Sequence, residues 1–174
     1  MRTTLLIAGL LAVPALVSST RAPASVQVDR IDPRLHRLEQ FFAERDCPLR
    51  EAAADFLIAA DRNELDWRLL PSISIVESSG GKDYRNNNVF GWDSCRESFT
   101  SVRAGIHYVA SRLAQSHLYR GKNLDNKLQT YNPNPDYPHR VKAVMRTLAP
   151  SANTLPATLP TRYVAYSTRA AIQP

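Results

Sequence analysis

Apolar side chains recur at intervals of three and four residues almost throughout residues 34–149, which is the spacing of amphipathic helices. This pattern predicts helices near residues 35–46, 52–60, 70–77, 102–113, 124–131 and 138–148. Residues 80–95 are rich in Gly and Asn and lack the spacing, so we expect a loop there, with at most a short β-hairpin. The predicted fold class is mainly α, and a chain of 174 residues with 44% hydrophobic residues suits one domain.

Local signals refine two of the helix starts. Pro71 is tolerated only in the first turn of a helix, so the third helix should be regular from about Leu70 onwards, with Asp66 as its candidate cap. Ser98 or Thr100 is expected to cap the fourth helix, because a hydroxyl oxygen can accept a hydrogen bond from a free backbone N–H at a helix start.

The first 24 residues have the form of an export signal. Arg2 gives a positive start, residues 5–17 form an apolar run, and Ala22-Pro23-Ala24 is an arrangement of small residues suited to signal peptidase. The alternative is a transmembrane anchor, but a run of roughly 13 residues falls short of the ~20 needed to span hydrocarbon. We therefore expect cleavage and a secreted or periplasmic chain.

Three segments follow the export signal. Residues 25–33 are expected to form a short extended leader, and residues 34–149 the folded domain. Residues 150–174 hold four prolines among Thr, Ala and Ser, without regular apolar spacing, and predict a flexible tail.

The predicted export changes the expected redox state of the two cysteines. Outside a reducing cytosol, Cys47 and Cys95 of a small domain are expected to form a disulfide. Such a bond would close a loop of ~50 residues and stabilise the fold by around 4 kcal/mol. Two buried free thiols are the alternative. The four His show no ligand spacing, so we expect no metal site and no cofactor.

The charge of the chain is positive. It is +6 in full and +4 without residues 1–24, where 20 basic residues then stand against 16 acidic ones. This balance suits an anionic surface such as a bacterial wall, and also an ordinary solvated surface. The sequence has no basic stripe with interleaved aromatics, so nucleic acid is not an expected partner. We expect a monomer without stable membrane insertion after processing.

Glu77 is the candidate catalytic residue. It follows the apolar run 73–76 and precedes Ser78-Ser79-Gly80-Gly81, which would end the helix and leave room for a bulky ligand. Burial among apolar side chains raises the pKa of a carboxyl group, and glycosidases use such a group to protonate the leaving oxygen. The alternative is a surface Glu in the last turn of a helix.

Two motifs in this order resemble a known family. Residues 69–82, in which an apolar helix ends in Glu-Ser and small residues, resemble the catalytic-helix motif of the lysozyme-like superfamily. Residues 86–92, Asn-Asn-Asn-Val-Phe-Gly-Trp, are similar to a loop of its bacterial glucosaminidase-type branch, and residues 99–122 match the downstream pattern of that branch. The resemblance covers about residues 65–148. It implies a lysozyme-like helical domain that acts as a glucosaminidase, muramidase or lytic transglycosylase on peptidoglycan.

The resemblance also implies roles for single residues. Glu77 would be the general acid, and Tyr131 would match a tyrosine that faces this acid from a later helix end. The residues implied in sugar binding are Asn87, Asn88, Phe90, Trp92 and Ser78. Side-chain amides can bond sugar hydroxyl and N-acetyl groups, and aromatic faces pack on a pyranose. The alternatives are that the asparagines only permit a turn and that Phe90 belongs to the core.

The second carboxylate is left open by the sequence. Asp83 lies where the second acid of this family sometimes falls, and Asp93 and Glu97 are the other acids nearby. None stands out by spacing. A mechanism in which the 2-acetamido group or the 6-hydroxyl of the substrate attacks the anomeric carbon needs no partner acid, and is slightly favoured for that reason.

The predicted function is therefore that of an exported glycosidase that cleaves the β-1,4 bonds of peptidoglycan glycan strands. The alternative from another class is a non-catalytic wall-binding or assembly protein that retains the lysozyme-like fold.

Overall fold

The computed structural model describes residues 32–153, in which six α-helices are joined by loops and two short 3-10 helices. The α-helices are α1 (Pro33–Ala43), α2 (Ala53–Arg62), α3 (Leu69–Ser78), α4 (Val102–Gln115), α5 (Leu124–Tyr131) and α6 (Tyr137–Leu148). The 3-10 helices are Pro48–Ala52, before α2, and Trp92–Cys95, between α3 and α4. The mainly α class is confirmed. Within the described range, the expected hairpin is reduced to one bridge between Arg85 and Asn88.

The helix starts follow the local signals in part. Pro71 lies in the first turn of α3, as predicted. α1 begins at Pro33, where the Asp32 side chain accepts a hydrogen bond from the Arg34 N–H, so the folded domain starts one residue earlier than expected. The predicted cap of α4 was wrong. Ser101 caps this helix by accepting from the Ala104 N–H at 3.1 Å, a contact that Ser98 and Thr100, further from the helix start, do not make.

The core forms where α2, α3, α4 and α6 pack together, and α3 supplies its most buried segment. Leu70 and Ile73 are fully buried there, and even the α3 serines Ser72 and Ser74 are inaccessible to solvent. Aromatic rings fill the space beside them, with Phe56 in edge contact with Phe90 at 6.1 Å between ring centroids. Because the first turns of α3 are surrounded by other helices, its C-terminal end is held in a defined position.

The first residues of the predicted tail are attached to the domain. The Trp67 indole N–H donates to the Ala152 carbonyl at 2.8 Å, and the Arg68 guanidinium donates to the Ala149 carbonyl at 2.8 Å. The rest of that tail, residues 154–174, lies outside the described residues, as do the predicted signal peptide and most of the leader. None of the helices in the described range is long and apolar enough to cross a membrane.

The predicted disulfide is not formed, and the structure has Cys47 and Cys95 as free thiols. Cys47 is buried where the chain leaves α3, with its Sγ 3.5 Å from the Ser79 carbonyl and close against Gly80. Cys95 lies at the end of a 3-10 helix, where its backbone N–H bonds to the Gly91 carbonyl at 3.4 Å. The two thiols therefore have different neighbours, and the segment between them is held by other contacts.

Candidate functional site

Glu77 lies in the last turn of α3, where the helix ends in a left-handed residue. Ser79 has φ 52°, its N–H bonds to the Ile75 carbonyl, and the Gly80 N–H bonds to the Ser74 carbonyl, both at 3.1 Å. This arrangement closes the helix and turns the chain away directly after Glu77. The Glu77 side chain is consequently half-buried, between the apolar body of α3 and the solvent.

The pKa of Glu77 is raised, as the sequence predicted. Burial of the carboxyl is the largest cause, and the Tyr137 hydroxyl and the positive charge of Arg140 oppose it by favouring the carboxylate. The Tyr137 hydroxyl is itself buried, and the burial of the Glu77 carboxyl outweighs the stabilising effect of this hydroxyl on the carboxylate, so the pKa of Glu77 is raised. Glu77 therefore keeps its proton to a higher pH than an exposed Glu does, which suits a proton donor.

Gly91 brings the backbone of the following loop against the Glu77 carboxyl. Its φ is +61°, and a Cβ placed on it would lie only 2.8 Å from Oε2 of Glu77. Any other residue would need both a disfavoured backbone conformation and a displaced carboxyl. A larger residue at position 91 would therefore displace the Glu77 carboxyl from its present position.

Glu77 opens into a cavity of about 650 Å³. The loop after α3 lines this cavity with Gly91, Trp92, Asp93, Ser94 and Glu97. The later helices and the turns that follow them contribute Tyr108, Arg112, Tyr119, Tyr131, Asn132 and Pro133. The volume suits a ligand of a few sugar rings or a comparable small molecule.

Trp92 lies at the centre of an aromatic cluster on the wall of this cavity. Its ring contacts those of Tyr131, Tyr119 and Tyr108 at centroid distances of 5.6, 6.0 and 6.2 Å. Tyr131 in turn stacks on Tyr137 with the two ring planes 6° apart. Such a wall offers apolar ring faces together with hydroxyl groups, a combination that packs against the faces of sugar rings.

Tyr131 is tied to the same loop as Gly91. Its hydroxyl donates to the Phe90 carbonyl at 2.5 Å, which joins the end of α5 to the loop beside the acid. Burial raises the pKa of Tyr131 well above its ordinary value, and the nearby charge of Glu77 raises it further. The hydroxyl therefore stays protonated and remains a hydrogen-bond donor next to the carboxyl.

The asparagines act within the loop rather than in the cavity lining. Asn88 is almost fully buried, donates from its amide to the carbonyls of Trp92 and Glu97, and accepts from the Trp92 N–H. Asn87 has φ 54° and donates to the Phe99 carbonyl at 2.8 Å. Both were predicted as sugar ligands, and in the structure both are bonded to backbone groups that set the shape of the loop.

Phe90 and Ser78, also predicted as sugar ligands, are buried. The Phe90 ring lies in the core, so only its carbonyl takes part in the site, through Tyr131. The Ser78 hydroxyl lies 2.9 and 2.8 Å from the carbonyls of Ser74 and Val89, which share its one proton as acceptors, and it accepts from the Gly81 N–H. Ser78 therefore fastens the end of α3 to the loop instead of facing a ligand.

The structure separates the three candidate partner acids. Asp83 is exposed and is not part of the cavity lining, whereas Asp93 and Glu97 both line it. The Asp93 carboxylate is paired with Arg96 at 2.5 Å. Glu97 has no ion pair among the described residues, and its backbone is held by Asn88 at 3.2 Å. Of the residues that the sequence indicated, the cavity thus brings together Glu77, Trp92, Tyr131, Asp93 and Glu97.

The lining residues that sequence reasoning missed include Tyr108, Arg112, Tyr119 and Asn132. Tyr108 and Arg112 are one turn apart on α4, with the guanidinium carbon 5.8 Å from the centroid of the Tyr108 ring. Tyr119 lies after the end of α4, and Asn132 directly follows α5. Helical spacing placed α4 correctly. The sequence pattern that could have identified two of them is the pair of Tyr108 and Arg112, which lie one turn apart on the polar, exposed side of this amphipathic helix.

Within residues 32–153, no group of three or more His, Cys, Asp or Glu side chains comes together in a way that could hold a metal ion. No protein-family model and no curated protein matches this chain.

Proposed function

We propose that this chain is an exported peptidoglycan glycosidase of lysozyme-like type, with Glu77 as the general acid. The observation that supports this most is the half-buried Glu77 carboxyl, whose pKa is raised and which lines an open cavity with an aromatic wall. The order of the Glu-Ser and Asn-Asn-Val-Phe-Gly motifs agrees with this activity. The partner is the glycan strand of the wall, and the site of action lies outside the cytoplasm.

In the proposed reaction, protonated Glu77 transfers its proton to the glycosidic oxygen while the bond between that oxygen and the anomeric carbon breaks. The positive charge that develops on the sugar is balanced by a carboxylate or quenched by a nucleophile. Glu97 is the acid we assign to that role, because it lines the same cavity and its carboxylate forms no ion pair with any of residues 32–153. Water activated by this carboxylate would then give a free reducing end.

The substrate-assisted route needs no second carboxylate. There, Glu77 protonates the leaving oxygen while the 6-hydroxyl or the 2-acetamido group of the sugar attacks the anomeric carbon. The Glu77 carboxylate then takes the proton of the 6-hydroxyl, or that of the water which opens the ring formed by the 2-acetamido group. Attack by the 6-hydroxyl is identified by its product, a 1,6-anhydro end that mass spectrometry detects, whereas attack by the 2-acetamido group ends in the same free reducing end as the two-carboxylate route. Glu97→Gln should abolish turnover in the two-carboxylate route and leave most of it in the substrate-assisted one.

Glu77→Gln tests the proposed function directly. The amide keeps the size of the side chain but donates no proton, so the release of soluble fragments from purified wall should fall at least about 100-fold. Binding of the protein to the same wall, measured by co-sedimentation, should persist. Glu51→Gln is the matched control, since Glu51 is exposed in the 3-10 helix before α2 and lies outside the cavity lining.

A parent protein that binds wall but releases nothing from it would contradict the enzymatic proposal. That result would favour the non-catalytic wall-binding or assembly protein, for which Glu77→Gln and the parent behave alike.

A further inference from the structure

Arg112 is the one cationic residue in the lining of the cavity that the described residues form. It lies in the last turn of α4, one turn after Tyr108, and its side chain is largely exposed. The other charged residues of the lining are the acids Glu77, Asp93 and Glu97. The presence of one positively charged side chain among three acidic ones requires an explanation.

The guanidinium is held without being neutralised. It lies over the Tyr108 ring, 5.8 Å from the centroid, which orients a planar cation by its attraction to the ring face. No ion pair within residues 32–153 involves Arg112, although three carboxylates line the same cavity and Asp93 is already paired with Arg96. Its hydrogen-bond donors therefore remain available to a ligand.

The chemistry of an available guanidinium is narrow. Its donors form a planar fork that matches the two oxygens of a carboxylate, and it stays charged at every physiological pH. Near the apolar faces of Trp92 and Tyr108, such a group can bind a carboxylate attached to a sugar whose ring packs on the aromatic wall. An uncharged glycan would leave the guanidinium in water.

We propose that Arg112 binds a carboxylate of the peptidoglycan strand and thereby makes this cavity prefer wall strands over uncharged β-1,4-linked N-acetylglucosamine chains. This inference rests on the proposed function, because it names the substrate feature that the same cavity recognises. Two sources offer the carboxylate: the stem peptide, and the lactyl group of a strand from which the peptide has been removed.

Binding of three soluble tetrasaccharides tests the assignment. The first carries stem peptides, the second is the same glycan with free lactyl carboxylates, and the third is chitotetraose. Affinities are measured by the quenching of tryptophan fluorescence and by calorimetry, for the parent protein, Arg112→Gln and the matched control Arg120→Gln, each also carrying Glu77→Gln so that no ligand is cleaved. Arg120 is exposed and lies outside the cavity lining.

The parent and Arg120→Gln should bind at least one carboxylate-bearing tetrasaccharide about tenfold more tightly than chitotetraose, the ratio expected from one charge-assisted hydrogen-bonded pair. In Arg112→Gln this preference should vanish, because its affinity for the carboxylate-bearing tetrasaccharide falls to that for chitotetraose. A preference for the first ligand alone assigns the stem peptide, and a preference for the second assigns the lactyl carboxylate.

Two results would overturn the inference: equal binding of all three ligands by the parent protein, absence of binding included, or a preference that survives in Arg112→Gln. Failure of the proposed function is recognised separately, by the absence of wall cleavage in the parent. A carboxylate preference that depends on Arg112 can still be present in a protein that cleaves nothing.

Discussion

Glu77 and Gly91 are neighbours in space, and each has a different structural requirement. Glu77 needs apolar surroundings to keep its proton, and these surroundings oppose its ionised form in the folded chain. Gly91 gives up a side chain so that the loop can approach the same carboxyl. Each residue therefore contributes to the site at a cost to stability, and both costs can be measured.

We expect Glu77→Gln to be more stable than the parent at neutral pH. The folded-state pKa of Glu77 is raised, so the parent loses stability as the pH rises from the unfolded-state pKa through the folded-state value. Below the unfolded-state pKa the carboxyl is protonated in both states and costs nothing. Thermal unfolding should show a higher Tm for the variant at pH 7 and equal values near pH 3. Equal Tm values at both pH values would contradict a raised pKa.

Gly91→Ala should damage activity more than stability. Its Cβ would lie 2.8 Å from Oε2 of Glu77 and would push the carboxyl aside. Gly121→Ala is the matched control, because Gly121 has φ +76° but nothing within 4 Å of an added Cβ. Both variants should lose about 1 kcal/mol of unfolding free energy in urea from the left-handed backbone. Wall cleavage should fall only in Gly91→Ala. If the two variants cleave wall equally well, the space beside the Glu77 carboxyl at Gly91 is not needed for the function of Glu77.

At the scale of elements, the loop of residues 86–99 differs from the helices in how its shape is specified. The helices follow from spacing that recurs along the chain. The loop is held by amide side chains bonded to backbone groups, with Asn86, Asn87 and Asn88 donating to residues 9 to 12 positions away. These bonds replace the strand pairing of a hairpin, which explains why the described loop contains only one bridge.

Asn88→Ala should release the part of this loop that lines the cavity. The side chain makes three hydrogen bonds and is 1% exposed, so its loss should lower the unfolding free energy by about 2–4 kcal/mol. Urea unfolding followed by tryptophan fluorescence measures this. Asn126→Ala, at an exposed position of α5, is the control and should change stability by less than about 0.5 kcal/mol. A small effect at both positions would show that the loop keeps its shape by other means.

At the scale of the whole molecule, the C-terminal end of the described range is bonded to the residues just before α3. Arg68 and Trp67, just before α3, bond to Ala149 and Ala152, just after α6. Trp67 is 3% exposed, so the residues after α6 also cover its ring. This contact belongs to the folded domain, although composition assigned residues from 150 onwards to the tail.

Two shortened chains measure this contact. A chain that ends at Asn153 should be more stable than one that ends at Leu148 by about 2–4 kcal/mol, because the shorter chain loses two hydrogen bonds and uncovers Trp67. Identical unfolding curves for both chains would exclude a stabilising role for residues 149–153.

The sequence by itself determined the helices, the buried end of α3 and the position of Glu77, because these depend on neighbours three and four residues apart. It also indicated Trp92 and Tyr131. Tertiary structure alone decided that Glu97 rather than Asp83 lines the cavity, that Arg112 and Tyr108 line it too, and that Cys47 and Cys95 have different neighbours. These relations join residues distant in the chain, and the direction of a side chain becomes defined only when its helix or loop packs against the others.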